Sequence, residues 1–438
     1  MSIGKTKTSV FTMSVLTKNQ AYDSSSNHEF EVDLKQALIW VARALDYVGV
    51  DDSHHSHRVA YIAYQCALAL GWDNHQAEFC YFAGMVHDCG VSETREHMML
   101  LEQLVPQDAK AHCIRGYHTL KQCRLLAQFA TPILYHHTHW DELEQIDIPS
   151  FEKNVAALLY LADRLDFMRA HYVTNCHSDL VTLHEELIAE CVLVNAGTLF
   201  HPEMCRAMVK LIMTDAFWFA MESEHIETIG MQFENIDWLQ KQLSIEDLTS
   251  LGLFLARIVD AKSSFTYQHS QKVAELSRYL AKKMGLDEHE QEMIFIAGLV
   301  HDIGKLKTPD EILHKEGPLD KQEYTRIKRH TIDTELALHK VFPNAKIAEW
   351  ASNHHERLDG SGYPYHKTAE ALDVPSRIIA VVDVFQALSQ DRPYRGRMTL
   401  QEIAIIMGEQ VDSGKLCADV YQVLWSNRQA CYELSVGM

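Results

Sequence analysis

One dipeptide occurs twice in matching surroundings, and the distance between its copies sets the architecture. Val86-His87-Asp88-Cys89-Gly90 and Val300-His301-Asp302-Ile303-Gly304 lie 214 positions apart. The same separation pairs Asp46 with Asp260, His55 with His269, Gly71 with Gly285 and Gly84 with Gly298. Composition alone does not hold one offset across so long a stretch, so the chain reads as two related units. Further on the register drifts while the pattern persists. His118 answers His330, His136-His137 answers His354-His355, and Asp163 answers Asp383.

Both units read as helical. From Phe30 onward, Leu34, Ala37, Leu38, Val41, Leu45 and Val48 recur at three- and four-residue steps, and period-two alternation is nearly absent. The expectation is an all-α protein with a flexible tail over 1–28, a first domain over 29–240 and a second over 241–438. Phe217, Trp218 and Phe219 are expected to pack within the first domain or between the two. A formal charge of −20 disfavours nucleic-acid polymers and anionic membranes, but not a small anion held by local cations. The ten cysteines form no C-x-x-C pair, and no apolar run is long enough to span a bilayer. Reduced cysteines and a cytoplasmic setting are expected.

The doublet in Ala297-Gly298-Leu299-Val300-His301-Asp302-Ile303-Gly304-Lys305 closes an apolar helical run. Neighbouring side chains diverge by about 100° in mid-helix but can converge at its end, where Gly304 is expected to take a left-handed turn. His269, His301, Asp302, His330, His354, His355 and Asp383 form the candidate ligand set. Taken singly, each histidine reads better as a helix-end or solvated residue than as a ligand. Asp383 decides between the readings. It lies in Arg377-Ile378-Ile379-Ala380-Val381-Val382-Asp383-Val384-Phe385-Gln386-Ala387-Leu388, which is apolar on nearly every face and therefore buried. A buried carboxylate needs a cation, and no basic residue stands a turn away. Five imidazoles and two carboxylates suit two adjacent divalent ions with one carboxylate bridging. Cysteine-free, imidazole-rich ligation favours iron or manganese over zinc or nickel.

The stretch His354-His355-Glu356-Arg357-Leu358-Asp359-Gly360-Ser361-Gly362-Tyr363-Pro364 carries an HHE-x-x-DG-x-GYP signature. With His301-Asp302-Ile303-Gly304-Lys305, Asp383 and Arg392-Pro393-Tyr394-Arg395, it resembles the HD-GYP family of the HD phosphohydrolases across roughly residues 250–400. The resemblance implies a metal-dependent phosphodiesterase that cuts cyclic dinucleotides. Cyclic di-GMP going to pGpG or GMP is the chief expectation, with cyclic GMP-AMP as a further substrate. Asp302 and Lys305 are the expected catalytic residues, Lys305 neutralising a phosphate oxygen. Lys305, Asp359, Tyr363, Arg392 and Arg395 form the expected substrate-binding set, the two arginines as forked contacts. Some family members carry a glutamate four residues before the first histidine, which supports a third metal. Phe265 stands there, so two ions are expected.

The first unit resembles a plain HD domain with His55, His87, Asp88, His118, His136, His137 and Asp163. Val91 replaces the lysine, and Thr138-His139-Trp140 follows His137 in place of the loop. Metal binding and a relic site both remain open there. The reading includes contact between the two domains and allows a homodimer. Its alternatives are a cyclic-dinucleotide receptor without turnover, a metal-based redox sensor, and a mononucleotide phosphohydrolase.

Overall fold

The computed structural model describes residues 30–46, 54–92, 96, 99–100, 103–106, 109–173, 178–233, 242–262, 268–315, 317–342, 346–391 and 396–437. The expected tail, Phe265, Arg392 and Arg395 lie outside the described residues. The protein is all-α; among the described residues the strands are Phe30–Glu31 and Gln242–Leu243, paired antiparallel, beside isolated bridges Ala196–Phe200 and Asp359–Thr368. No described helix is long and apolar enough to cross a membrane. The described cysteines are all free thiols.

The first unit is built on α1 (Leu34–Asp46), α2 (His55–Ala69), α3 (Asn74–Met85), α4 (Lys110–Lys121), α5 (Ala130–Tyr135) and α6 (Ser150–Val173). The second is built on α7 (Ile245–Lys262), α8 (His269–Lys283), α9 (Glu288–Val300), α10 (Lys321–Lys328), α11 (His330–Val341), α12 (Ile347–Ser352) and α13 (Val374–Ser389). The repeat holds in physical detail. Gly71 and Gly285 turn the chain with φ of 77° and 81°, and Asp73 and Asp287 then cap α3 and α9 with full capping boxes. A Cβ on Gly84 would meet Ala60 Cα at 2.5 Å, and one on Gly298 would meet Ala274 Cα at 2.7 Å. These glycines let α2 cross α3, and α8 cross α9, at a separation no larger residue permits.

Gly304 departs from its expected role. It sits inside the 3₁₀ turn Ile303–Lys307 and takes no left-handed conformation. Its missing side chain serves close packing instead, since a Cβ there would stand 2.0 Å from the His330 carbonyl oxygen. Gly90 packs against the His112 carbonyl in the same way, also at 2.0 Å.

Helix α1 packs against α2, α3 and α11, and Asp33 N donates to Val341 O at 3.1 Å. Arg124 of the first unit pairs with Asp247 of α7 at 3.0 Å. Phe217 and Trp218 are buried, Phe217 stacking on Tyr61 at 5.7 Å, whereas Phe219 is exposed.

Candidate metal centre

Five helical elements of the second unit bring the expected ligand set together. His269 opens α8, His301 and Asp302 follow α9, and His330 opens α11. His354 and His355 occupy the 3₁₀ turn after α12, and Asp383 lies in α13 between the buried Val381, Val382 and Phe385. Asp302 stands at the middle. Its Oδ2 is 3.3 Å from His301 Nε2 and 3.7 Å from His269 Nε2. Its Oδ1 is 3.6 Å from both His330 Nε2 and His354 Nε2. Asp383 faces His269 at 3.4 Å and His301 and His355 at 3.9 Å.

Backbone carbonyls set the ring tautomers. His301 Nδ1 donates to Gly298 O at 2.8 Å, His354 Nδ1 to Ala351 O at 2.6 Å, and His330 Nδ1 to Ile327 O. A carbonyl can only accept, so a neutral ring held this way turns a bare Nε2 lone pair inward. His330 Nε2 and His354 Nε2 are only 3.2 Å apart. Two lone pairs at that distance repel unless a cation lies between them. His301 Nε2 and Asp302 Oδ1 are buried without a hydrogen-bond partner among the described residues, as open coordination positions would be.

The protonation states agree. Burial pushes His330 down to about 4 and holds His354 and His355 well below the usual range, so these rings are neutral at pH 7. Burial alone would raise Asp302, but His301 and Lys305 hold it well below the carboxylate range. Asp383 is likewise held down by His269 and His355 against the effect of burial. His301 differs, because Asp302 and Asp383 raise it against the effect of burial. The neutral rings of His330, His354 and His355 beside two ionised carboxylates are a donor set for divalent cations.

Lys305 forms an ion pair with Asp302 and keeps a fifth of its side chain exposed. It therefore reaches from the cluster toward solvent. The Tyr363 ring lies 4.8 Å from that of His355 and 6.4 Å from that of His330. Asp359 is exposed, and its carboxylate accepts from Ser361 N and Oγ within its own loop.

Several contributors carried weak signals. Gln386, one turn past Asp383, accepts from His269 Nδ1 and orients that ring. Its spacing of three on a helix was the only hint. Glu356 is 1% exposed and anchors the loop, its two oxygens accepting from Tyr365 N at 2.7 Å and Lys367 N at 3.0 Å. Gly362 fits against that anchor because a Cβ would meet Arg357 N at 2.3 Å. Glu356→Ala is expected to cost about 2 kcal/mol, from two lost charge-assisted bonds. A lower melting temperature and new protease cleavage within 359–368 would register it.

In the first unit the structure corrects one member of the candidate set. His118 is exposed, and His112 takes the place equivalent to His330. His112 Nε2 lies 3.5 Å from Asp88 Oδ1 and 3.4 Å from His136 Nε2.

The HD domain family matches residues 53–168 and again residues 254–419. A 3'3'-cGAMP-specific phosphodiesterase of Vibrio cholerae serotype O1 is 46% identical over 94% of this chain and 96% of its own length. The chain belongs to the HD-GYP cyclic-dinucleotide phosphodiesterases. It carries an additional amino-terminal HD domain. A cyclic di-GMP phosphodiesterase of Pseudomonas aeruginosa is 37% identical, over 32% of this chain and 35% of its own. The fold is shared with a crystal structure of a V. cholerae cyclic GMP-AMP phosphodiesterase, at a TM-score of 0.59, 21% identity, and coverage of 92% of this chain and 98% of that one.

Proposed function

We propose that the HD-GYP domain hydrolyses 3'3'-cyclic GMP-AMP to a linear dinucleotide, with cyclic di-GMP as the slower substrate. The order differs from the expectation raised by the sequence. The observation that carries it is the relative matched along 94% of the chain, which is 3'3'-cGAMP-specific, while the cyclic di-GMP phosphodiesterases compared match 32% to 52% of it.

Two divalent ions, iron or manganese, fit the seven ligands, with Asp302 turned to imidazoles on both sides as a bridging carboxylate would be. Bound there, they supply Lewis acidity and lower the pKa of water. The chain's own side chains do the rest. Lys305, beside Asp302, is positioned to neutralise a non-bridging phosphate oxygen. Tyr363 walls the centre on the His355 side. Tyr324 of α10 stands edge-on to it at 6.1 Å, and Lys328 Nζ lies within 6 Å of both ring centres. Tyr324 is 48% exposed and offers a face on which a purine can stack while Lys328 meets its phosphate. Arg392 and Arg395 remain proposed phosphate contacts.

We place the domain boundary near residue 240, with α1 and the Arg124–Asp247 pair joining the two domains. A cyclic-dinucleotide substrate supports a cytoplasmic setting for the reaction. The test is kcat/KM for both nucleotides in anaerobically purified protein. An advantage of at least about tenfold for 3'3'-cGAMP is expected, since purine edges differ in their hydrogen-bonding groups. Equal or reversed values would return cyclic di-GMP to first place.

A further inference from the structure

We propose that Lys262, which lies outside the ligand set, is a positioning residue of the reaction and holds the turn that presents Lys305. Among the described residues it is the only buried lysine, 3% exposed. An ammonium leaves water at a cost that only strong partners offset, so its burial calls for a reason. Its partners lie just past the doublet. Nζ donates to Leu306 O and stands 3.6 Å from Asp310 Oδ1. The Lys262 carbonyl in turn accepts from His314 Nε2 at 2.9 Å. Burial draws the ammonium down to about 8, with Asp310 working against it, so it is charged at pH 7. The last turn of α7 is thus latched to 306–314 through both the side chain and the backbone of one residue. Leu306 follows Lys305 within the 3₁₀ turn Ile303–Lys307. Fixing its carbonyl fixes the backbone from which Lys305 reaches Asp302. Helix α11 braces the same turn from another side. Gly304 N donates to Thr334 Oγ1 at 3.0 Å, and that hydroxyl donates to His301 O at 3.1 Å.

The internal repeat separates this brace from the holding of the histidines. The offset of 214 places Val48 at Lys262 and Val91 at Lys305. Gly116 stands at Thr334, since a Cβ on Gly90 would meet Gly116 N at 2.5 Å and one on Gly304 would meet Thr334 N at 2.7 Å. The lysine placed to meet phosphate, the lysine behind it and the hydroxyl occur together in the second unit and are absent together from the first. Asp260, two residues before Lys262, behaves differently. Its carboxylate accepts from Ser270 N at 3.3 Å and from Ser270 Oγ at 2.8 Å, which holds the first turn of α8 and with it His269. Its equivalent Asp46 is present in the first unit, as is the histidine equivalent to His269. One helix end therefore carries two devices. Asp260 stands behind a histidine that both units share, and Lys262 stands behind the lysine that only the second possesses.

The inference rests on the proposed role of Lys305, and the test is a double-mutant cycle with that residue in full-length, metal-replete protein. Lys262→Met keeps the stem and removes the ammonium, while Lys262→Gln leaves a neutral donor. Each is expected to lower kcat for 3'3'-cGAMP at least about tenfold, with KM within about threefold of wild type and metal content unchanged, because misplacing a reacting group costs rate rather than ground-state binding. In a Lys305→Ala background the same substitutions are expected to lower kcat less than about twofold further. Unchanged kcat, equal losses in both backgrounds, or lost metal would overturn the proposal, as would failure of both variants to fold, which would make Lys262 a residue of the core. Amide exchange at Lys305 and Thr308 reads the anchoring without turnover, since their N–H groups close the turn on Asp302 O at 2.8 Å and Lys305 O at 2.9 Å. It is expected to quicken at least about tenfold in Lys262→Met, and unchanged exchange would overturn the anchoring. Wild-type protein that hydrolyses neither nucleotide would end the proposed function, while the exchange result would still decide whether Lys262 holds the turn.

Discussion

Asp302→Asn is expected to lower kcat/KM by at least about 10³-fold, with the fold retained. The substitution keeps the volume but puts an amide nitrogen where a carboxylate oxygen faced imidazoles. Both oxygens are used in the native protein, Oδ2 toward His269 and His301 and Oδ1 toward His330 and His354. One of these facings is lost whichever way the amide turns, and so is the negative charge shared between the two halves of the centre. Metal-based charge stabilisation contributes several kcal/mol to such reactions, and each 1.36 kcal/mol is a factor of ten. Rates of linear-product formation beside elemental analysis measure the effect. Full activity would show that Asp302 holds no metal.

Gly304→Ala is expected to do comparable damage without touching a ligand. The new methyl carbon would stand 2.0 Å from the His330 carbonyl and 2.7 Å from Thr334 N, both backbone atoms of α11. Neither can swing aside as a flexible side chain would, so the first turn of α11 must move and carry His330 with it. Overpacking of this kind costs about 1–3 kcal/mol, and misplacing a reacting group by 1 Å costs about 10²-fold in rate. A fall of at least about 10²-fold in kcat/KM, with weaker metal retention, is the expected outcome. Wild-type values would mean that the close approach of Gly304 to α11 does not hold in solution.

The all-α fold, the two-unit organisation and the convergence of the second histidine–aspartate set were legible because each rests on periodicity or on residue types at fixed spacing. Asp383 shows why: an ionisable residue inside an apolar helix is visible in the sequence, and its cost when buried demands a partner. The misplaced ligand shows the limit. His112 and His118 lie six residues apart on α4, and only the packing of Gly90 on the His112 carbonyl fixes which one faces Asp88. Gly304 was assigned to a turn because glycine usually signals backbone freedom, whereas its role depends on a helix thirty residues away. Gln386 was passed over because an orienting group carries no motif of its own, and Glu356, although inside the HHE-x-x-DG-x-GYP signature, was given no role because its anchoring bonds reach nine and eleven residues ahead. The bond from Arg164 to the Leu100 carbonyl and the packing of Val91 on Leu100 and Ala109 likewise depend on contacts that no local pattern announces.

The most direct test is a single reaction. Metal-replete, reduced protein is incubated with 3'3'-cyclic GMP-AMP in ¹⁸O-labelled water, and the nucleotides are resolved by mass spectrometry. A hydrolase gives a linear dinucleotide carrying one ¹⁸O atom in its newly formed terminal phosphate. Intact nucleotide recovered bound to the protein, with no labelled linear product, would instead identify a receptor and contradict the account.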